Sequence, residues 1–251
     1  MSCVDVTEDL LRTRGREVMA YVRFLRVALE SQATLISKDG AVVLPLSKNI
    51  THTLKANLLL LLYSAMEATV VQLLDEMHSA IGSQCSSADE LNSELFLLVV
   101  KSFKESSAGI THQTMQQPLH ESIFQAWFKE WKQKDSKKRR SSGISGNVDS
   151  KAIYFQLKRF GVVAGHEDSP PSHLAHPSLK MVKDRRNVLA HGEQSFVALG
   201  QGLALEELIT DARYVFRTLA KVIQEVNLYL ENKRYLAPLR VGALQLAGNE
   251  A

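Results

Sequence analysis

The sequence predicts an all-α protein in which about four or five helices form an up-and-down core bundle, with further helices around it. Apolar residues recur at steps of three and four along most of the chain, a spacing that places them on one face of an α-helix. The alternation of apolar and polar residues that is typical of β-strands is nearly absent. The most regular apolar stripe lies near the C-terminus and favours packing along partner helices. It consists of Leu205, Leu208, Ala212, Val215, Leu219, Val222, Val226 and Tyr229.

Two long helices are predicted in the N-terminal part of the chain. The first begins near Glu8, and the second covers residues 53–81. Within the second helix, residues 58–62 are apolar on nearly all sides, which predicts a place in the centre of the bundle. Residues 37–49 hold a glycine and a proline and are expected to form a connector, with a short extended piece at 41–44. The apolar stripe of the first helix comprises Val18, Tyr21, Val22, Leu25, Ala28 and Leu29.

The later helices are marked by residues that favour helix ends. Residues 87–90 read Ser-Ala-Asp-Glu, a capping box that predicts the start of a third helix. Residues 121–132 are expected to form a short helix rich in aromatic residues. Asp149 or Ser150 is expected to cap a further helix, and Gly161 is expected to end that helix with a positive φ.

The overall composition excludes several classes of protein. The chain has 251 residues, of which 45% are hydrophobic and 23% charged, as in an ordinary globular protein. Two cysteines are too few for a disulfide framework and favour a reducing compartment. A net charge of +3 neither demands nor excludes a nucleic-acid partner. Acidic residues precede the first apolar stretch, and the longest apolar run is much shorter than the roughly 20 residues of a membrane span, so we expect a cytoplasmic protein with no membrane partner.

A compositional break lies at residues 132–149, a basic stretch rich in serine and glycine. We expect it to form a solvated loop within a single domain of residues 1–251, which ends in a flexible tail at 237–251. The basic residues could hold the backbone of RNA, and Trp127 and Trp131 just before them could stack on bases. The alternative, which we favour, is an aromatic core helix followed by a mobile loop. The candidate RNA-binding residues of this stretch are Lys137, Lys138, Arg139 and Arg140.

The segment with the clearest chemical content is MVKDRRNVLAHGEQSF at residues 181–196. Arg186 lies five residues before His191, and Asn187 shares a helix face with His191. Gly192 suits a helix C-terminus, so His191 is expected on the last turn. A histidine can take the proton of a ribose 2′-hydroxyl or give one to the leaving oxygen, and an arginine can stabilise the charge that builds on the phosphate. These residues therefore suit the cleavage of RNA without a metal ion.

One histidine cannot serve as acid and base within a single step. Two copies of the segment that face each other across a two-fold axis would supply both groups, which favours a homodimer. The alternative is a plain helix end with a capping histidine and a surface arginine, because the pattern R-N-x-x-x-H occurs by chance in many helices. Spacing alone favours this alternative.

Three further residues are candidates for the same site. Lys183 and Arg185 flank the segment and are predicted to contact phosphates. Glu67 lies in the middle of an otherwise apolar helix, where an unpaired carboxylate is costly. It either supports Arg186 or His191, or it belongs to a structural ion pair or to an exposed face of its helix.

Four histidines fall within 26 residues, which raises the question of a metal site. Prolines make much of this stretch a loop, and neither a cysteine nor an H-E-x-x-H pattern accompanies it. We therefore expect no metal and no other cofactor. The four are His166, His173, His176 and His191.

The segment RNVLAHG at 186–192 resembles the signature of the HEPN superfamily, all-α ribonuclease and toxin domains in which an arginine and a polar residue precede a histidine. Residues 56–70, 145–162 and 191–236 are similar to the HEPN branch found beside restriction and other defence genes. Four segments in the same order are more specific than the short motif, and the resemblance spans about residues 10–236.

The resemblance implies a helical bundle that dimerises with the Arg–His motifs at the interface and cleaves RNA without a metal ion. It further implies that Arg186 binds the phosphate, that His191 is the acid–base group and that Asn187 orients the site. One branch of these toxins has a tyrosine two residues after the histidine, which an antitoxin modifies. Glu193 occupies that position here, so this form of regulation is not expected, and Glu193 is instead a candidate for a supporting role.

Two functions remain open on these grounds. The first is an endoribonuclease, a toxin or defence effector with RNA as substrate and an antitoxin or defence-system protein as partner. The second is a non-catalytic helical dimer that binds a partner protein or RNA. Retention of both the arginine and the histidine favours the first.

Overall fold

The computed structural model of the chain describes residues 2–30, 34–40, 42–106, 119–132, 147–163, 171–172 and 174–238, and it confirms the all-α fold. This part of the chain contains eight α-helices and one short β-hairpin. The elements are α1 (Asp5–Glu30), β1 (Thr34–Ile36), β2 (Val42–Pro45), α2 (Lys48–Gln84), α3 (Ser93–Ser106), α4 (Leu119–Lys132), α5 (Ser150–Arg159), α6 (Ser178–Ala190), α7 (Phe196–Gln201) and α8 (Leu205–Glu231).

The hairpin joins α1 to α2. Strands β1 and β2 pair in antiparallel orientation, with Leu35 opposite Leu44. The extended piece expected at 41–44 is therefore β2, which ends one residue later at Pro45.

Helix α2 is the central element of the bundle, as its apolar run predicts. It packs against α1, α6, α7 and α8. Leu58, Leu59 and Leu62 are completely buried. Helix α2 is also long and apolar enough to cross a membrane, but 56% of its most apolar window is buried within the protein, and core helices of soluble proteins share this property.

Helix α1 begins at Asp5, three residues before the expected start, because a carboxylate of α2 caps it. Glu76 accepts hydrogen bonds from the backbone N–H groups of Val6 at 3.1 Å and Thr7 at 2.9 Å, and also from the Thr7 hydroxyl. These N–H groups have no partner within the helix, so Glu76 satisfies donors that would otherwise be unpaired.

The predicted start of the third helix at residues 87–90 is wrong. Residues 88–90 form a single 3₁₀ turn, and α3 begins at Ser93 with Asn92 as its cap, whose Oδ1 accepts the N–H of Leu95 at 2.9 Å. The reason is a long-range pairing that extends the chain at this point. The N–H of Asn92 donates to the carbonyl of Tyr235 at 2.7 Å, and the N–H of Ala237 donates to the carbonyl of Glu90 at 2.8 Å.

Both ends of α5 are confirmed. Asp149 caps its start by accepting the N–H of Ala152 at 2.8 Å. Gly161 follows its last turn with a φ of 72°, a conformation in which residues with a side chain are strained.

A neutral histidine lies in the core beside α4. His78 is 2% exposed, and its ring packs 4.6 Å from the ring of Trp127 and 5.0 Å from that of Phe160. Trp127 is therefore a core residue, as the favoured alternative predicted. Burial, together with the charge of Arg159, lowers the pKa of His78 to about 3, against the opposing effect of the hydrogen bond to Leu74.

We expect His78 to make the protein less stable in acid. The unfolded chain binds a proton near the ordinary histidine pKa of 6.5, whereas the folded protein does not bind one until about pH 3. The stability that depends on neutral His78 is therefore fully present above pH 6.5 and is lost as the pH falls below that value. In urea unfolding, the stability of the wild type relative to His78→Phe should fall by about 2 kcal/mol between about pH 7 and about pH 5. A constant difference between the two proteins would contradict this assignment.

Candidate active site

Helix α6 carries most of the predicted site residues. Its apolar side holds Leu179, Val182 and Leu189, which are buried. The helix packs against α2, α7 and α8 through this side. Arg186 and Asn187 are half-buried, whereas His191 is exposed.

The N-terminus of α6 is fixed to α8 by a buried polar group. The Ser178 hydroxyl donates to Asp211 Oδ1 at 2.8 Å and lies 2.8 Å from His176 Nδ1. Burial raises the pKa of Asp211, opposed by the Ser178 hydrogen bond and by the charge of Arg185. The charge of Arg185 therefore acts on Asp211 of α8, and the predicted contact of Arg185 with phosphates stays a prediction.

The C-terminus of α6 is a Schellman turn that presents His191. His191 is the C-cap residue, as expected from Gly192. Gly192 has a φ of 71° and donates its N–H to Leu189 at 3.2 Å, while the N–H of Glu193 donates to Val188 at 3.0 Å. The side chain of His191 makes no hydrogen bond or ion pair within the described part of the chain. Glu193 is exposed and takes part in this turn through its backbone.

The guanidinium of Arg186 lies on an aromatic ring of α2. Its Cζ is 4.2 Å from the ring centroid of Tyr63, a cation–π contact. Its Nη1 donates to Asn187 Oδ1 at 2.9 Å. The side chain is thus held between α2 and its own helix.

A third segment, residues 147–149, meets these two helices. Asn187 Nδ2 donates to Asn147 Oδ1 at 3.1 Å. The N–H of Val148 donates to the hydroxyl of Tyr63 at 3.1 Å. The short stretch before α5 is therefore tied to α6 and α2 at once.

Lys183 completes this connection through an ion pair. Its Nζ lies 2.6 Å from Asp149 Oδ2, with both side chains about 15% exposed, and 3.5 Å from Asp184 Oδ1. The hydrogen bond to Asp149 raises the pKa of Lys183 despite its desolvation, so it stays charged. The ammonium already holds the segment that carries Asn147, and its predicted contact with phosphates stays a prediction.

Glu67 lies one helical turn after Tyr63 and is half-buried. Its charge adds to the effect of burial in raising the pKa of Tyr63, whereas the charges of Arg186 and Lys183 lower it. The charges of Glu67 and Arg186 thus act on the same hydroxyl group, and the supporting role of Glu67 stays a prediction.

The structure brings together Arg186, Asn187, Lys183 and Glu67, and it adds two residues that sequence reasoning missed. In the sequence, Tyr63 continues the apolar run of α2, and it differs from that run only as the one tyrosine of the helix, one turn before Glu67. The only signal for Asn147 was its place two residues before the capping residue Asp149. The four basic residues 137–140 lie outside the described residues, as do His166 and His173. Within the described residues no three His, Cys, Asp or Glu side chains group as metal ligands would.

Comparison with known proteins identifies one family. The model of the family described as HEPN_MAE_28990-like HEPN matches residues 5–235, which include every element from α1 to α8. No curated protein and no solved structure matches the chain.

Proposed function

Because the chain belongs to the HEPN_MAE_28990-like HEPN family, whose domain type is frequently a ribonuclease, we propose that it is an endoribonuclease that needs no metal ion. The observation that carries this proposal is that α6 presents two suitable residues near its C-terminus. Arg186 is held in place by Tyr63 and Asn187, and the exposed residue His191 follows about 7.5 Å further along the helix axis as the C-cap.

These two groups suit the attack of a ribose 2′-hydroxyl on its own phosphate. The imidazole of His191 takes the proton of the hydroxyl, and the 2′-oxygen forms a bond to phosphorus while the bond to the 5′-oxygen breaks. The leaving 5′-oxygen takes a proton from a second imidazole. The guanidinium of Arg186 stabilises the negative charge of the phosphate during this exchange. The products are a 2′,3′-cyclic phosphate and a 5′-hydroxyl.

The second imidazole is His191 of a second copy of this chain. A two-fold axis near the C-terminus of α6 would place both histidines at one phosphodiester. We therefore propose that the active form is a homodimer. We further propose that the protein is a toxin or defence effector that acts in the cytoplasm. Its partner would be an antitoxin or another protein of the defence system.

The test is the cleavage of single-stranded RNA by the purified protein in excess EDTA. We expect cleavage to persist and its products to carry 2′,3′-cyclic phosphate ends, identified by mass spectrometry. The matched substrate is the same sequence with 2′-O-methyl groups, which lacks the attacking hydroxyl and should not be cut. Loss of activity in EDTA, or cleavage of the methylated RNA, would contradict the proposed chemistry. RNA binding without any cleavage would favour a non-catalytic module.

A further inference from the structure

Tyr63 makes two contacts that its place in the core does not require. It is 3% exposed on the central helix α2. Its ring face supports the guanidinium of Arg186 at 4.2 Å, and its hydroxyl accepts the N–H of Val148 at 3.1 Å. A leucine would fill the same apolar space, but it would offer neither an aromatic face nor an acceptor.

The contacts of Tyr63 close a ring of interactions. Arg186 lies on Tyr63 and donates to Asn187, Asn187 donates to Asn147, and the residue after Asn147 is Val148, which returns to Tyr63. Each residue in this closed set of interactions is therefore held from two sides. The ion pair between Lys183 and Asp149 fastens the same segment at a second point, 2.6 Å between the charged atoms.

The neutral state of the Tyr63 hydroxyl suits its contacts with Val148 and Arg186. Burial raises the pKa of its hydroxyl, so the phenol remains neutral at physiological pH and can accept the N–H of Val148 without a charge of its own. The face of a neutral aromatic ring attracts a guanidinium and fixes the plane in which it lies.

We propose that Tyr63 is a positioning residue that sets the orientation of the Arg186 guanidinium for the phosphate of RNA. This inference rests on the proposed ribonuclease function. Tyr63 is too deeply buried to touch substrate, and it acts through Arg186 and through the segment that carries Asn147. Reactions of this kind are sensitive to the placement of charged groups, and a shift of about 1 Å can cost on the order of 10²-fold in rate.

The geometry can be tested without any enzymatic activity. Protons of a guanidinium above an aromatic ring resonate upfield, so the Nε–H signal of Arg186, identified by its absence in Arg186→Ala, should be shifted upfield in NMR spectra of the wild type. Tyr63→Phe keeps the ring and should retain the shift, whereas Tyr63→Leu should lose it. An identical Arg186 signal in the wild type and Tyr63→Leu would overturn the inference.

The role in catalysis is tested by a double-mutant cycle in RNA cleavage. Tyr63→Leu should lower kcat by about 10–100-fold and change KM by less than about threefold, because the interaction matters most in the transition state. Tyr63→Phe should recover most of kcat. In an Arg186→Ala background, Tyr63→Leu should change kcat by less than about twofold, since no guanidinium is left to position.

Tyr154→Leu is the matched control for loss of a buried tyrosine. Tyr154 is 5% exposed on α5 and lies outside the ring of interactions. Its replacement should reduce stability as Tyr63→Leu does but should leave kcat within about twofold of the wild type. Equal losses of kcat for the two leucine variants, or a full effect of Tyr63→Leu without Arg186, would overturn the inference. A wild type that does not cleave RNA would instead refute the proposed function, while the NMR result would still decide whether Tyr63 orients Arg186.

Discussion

Replacement of His191 by alanine is expected to lower the rate of RNA cleavage by about 10²–10⁴-fold, the usual loss for a general acid–base group. The imidazole is exposed and without a hydrogen bond in the described part of the chain, while the turn around it is held by backbone groups. The variant should therefore keep the stability of the wild type within about 0.5 kcal/mol. Single-turnover cleavage in EDTA, together with thermal unfolding, separates the loss of chemistry from a loss of fold.

His120→Ala is the matched control for this experiment. His120 is also exposed, on α4, where its ring lies 6.0 Å from that of Phe96. Its replacement should leave cleavage unchanged. Equal activity of the wild type and both variants would point to a contaminating nuclease. In cells, growth arrest caused by the wild type and relieved by His191→Ala would link the chemistry to the role of a toxin.

Arg186→Ala, measured in the same cleavage assay, tests the group that is proposed to stabilise the phosphate. Removal of a group that stabilises the developing charge should cost about 10²–10³-fold in rate. The exposed Arg217 of α8 provides a control of equal charge, and Arg217→Ala should be fully active. A wild-type rate for Arg186→Ala would exclude the guanidinium from the reaction.

Gly200→Ala is expected to cause the largest loss of stability, about 3 kcal/mol or more. Gly200 is a buried residue of α7 at the contact with α2. A Cβ atom there would lie 1.8 Å from the backbone oxygen of His52 and 2.5 Å from its carbonyl carbon. Because the obstacle is backbone, no rotamer change can relieve the clash, and α7 must move away from α2.

Gly202→Ala is the control for this effect, two residues later at the end of the same helix. Its φ is −78°, and its nearest contact would be ordinary, 3.7 Å from the carbonyl oxygen of Leu199. We expect a change of less than about 1 kcal/mol in urea unfolding. Similar free energies of unfolding for the two variants would show that the close approach of α7 to α2 is not required. Since α7 follows directly after the His191 turn, Gly200→Ala is also expected to disturb the site.

Local sequence patterns predicted the structure correctly where a feature depends only on contacts within one helix. The apolar stripe of α8 predicted a buried face, and Leu208, Val215 and Val226 are completely buried. Gly161 and Gly192 predicted helix ends because only the backbone of a glycine takes a positive φ without strain, and both have one. The capping box at residues 87–90 failed because a pairing with residues 235–237, far along the sequence, extends the chain there.

The sequence by itself determined the all-α class, the central place of α2 and the position of His191 at the end of its helix, because these depend on the spacing of neighbours within one helix. Only the tertiary structure decided what surrounds Arg186. Tyr63 and Asn147 come from parts of the chain separated by more than eighty residues, and no periodic pattern connects them. Their meeting depends on how α2, α6 and the start of α5 pack, and contacts between distant segments are set by the whole core rather than by any one segment of it.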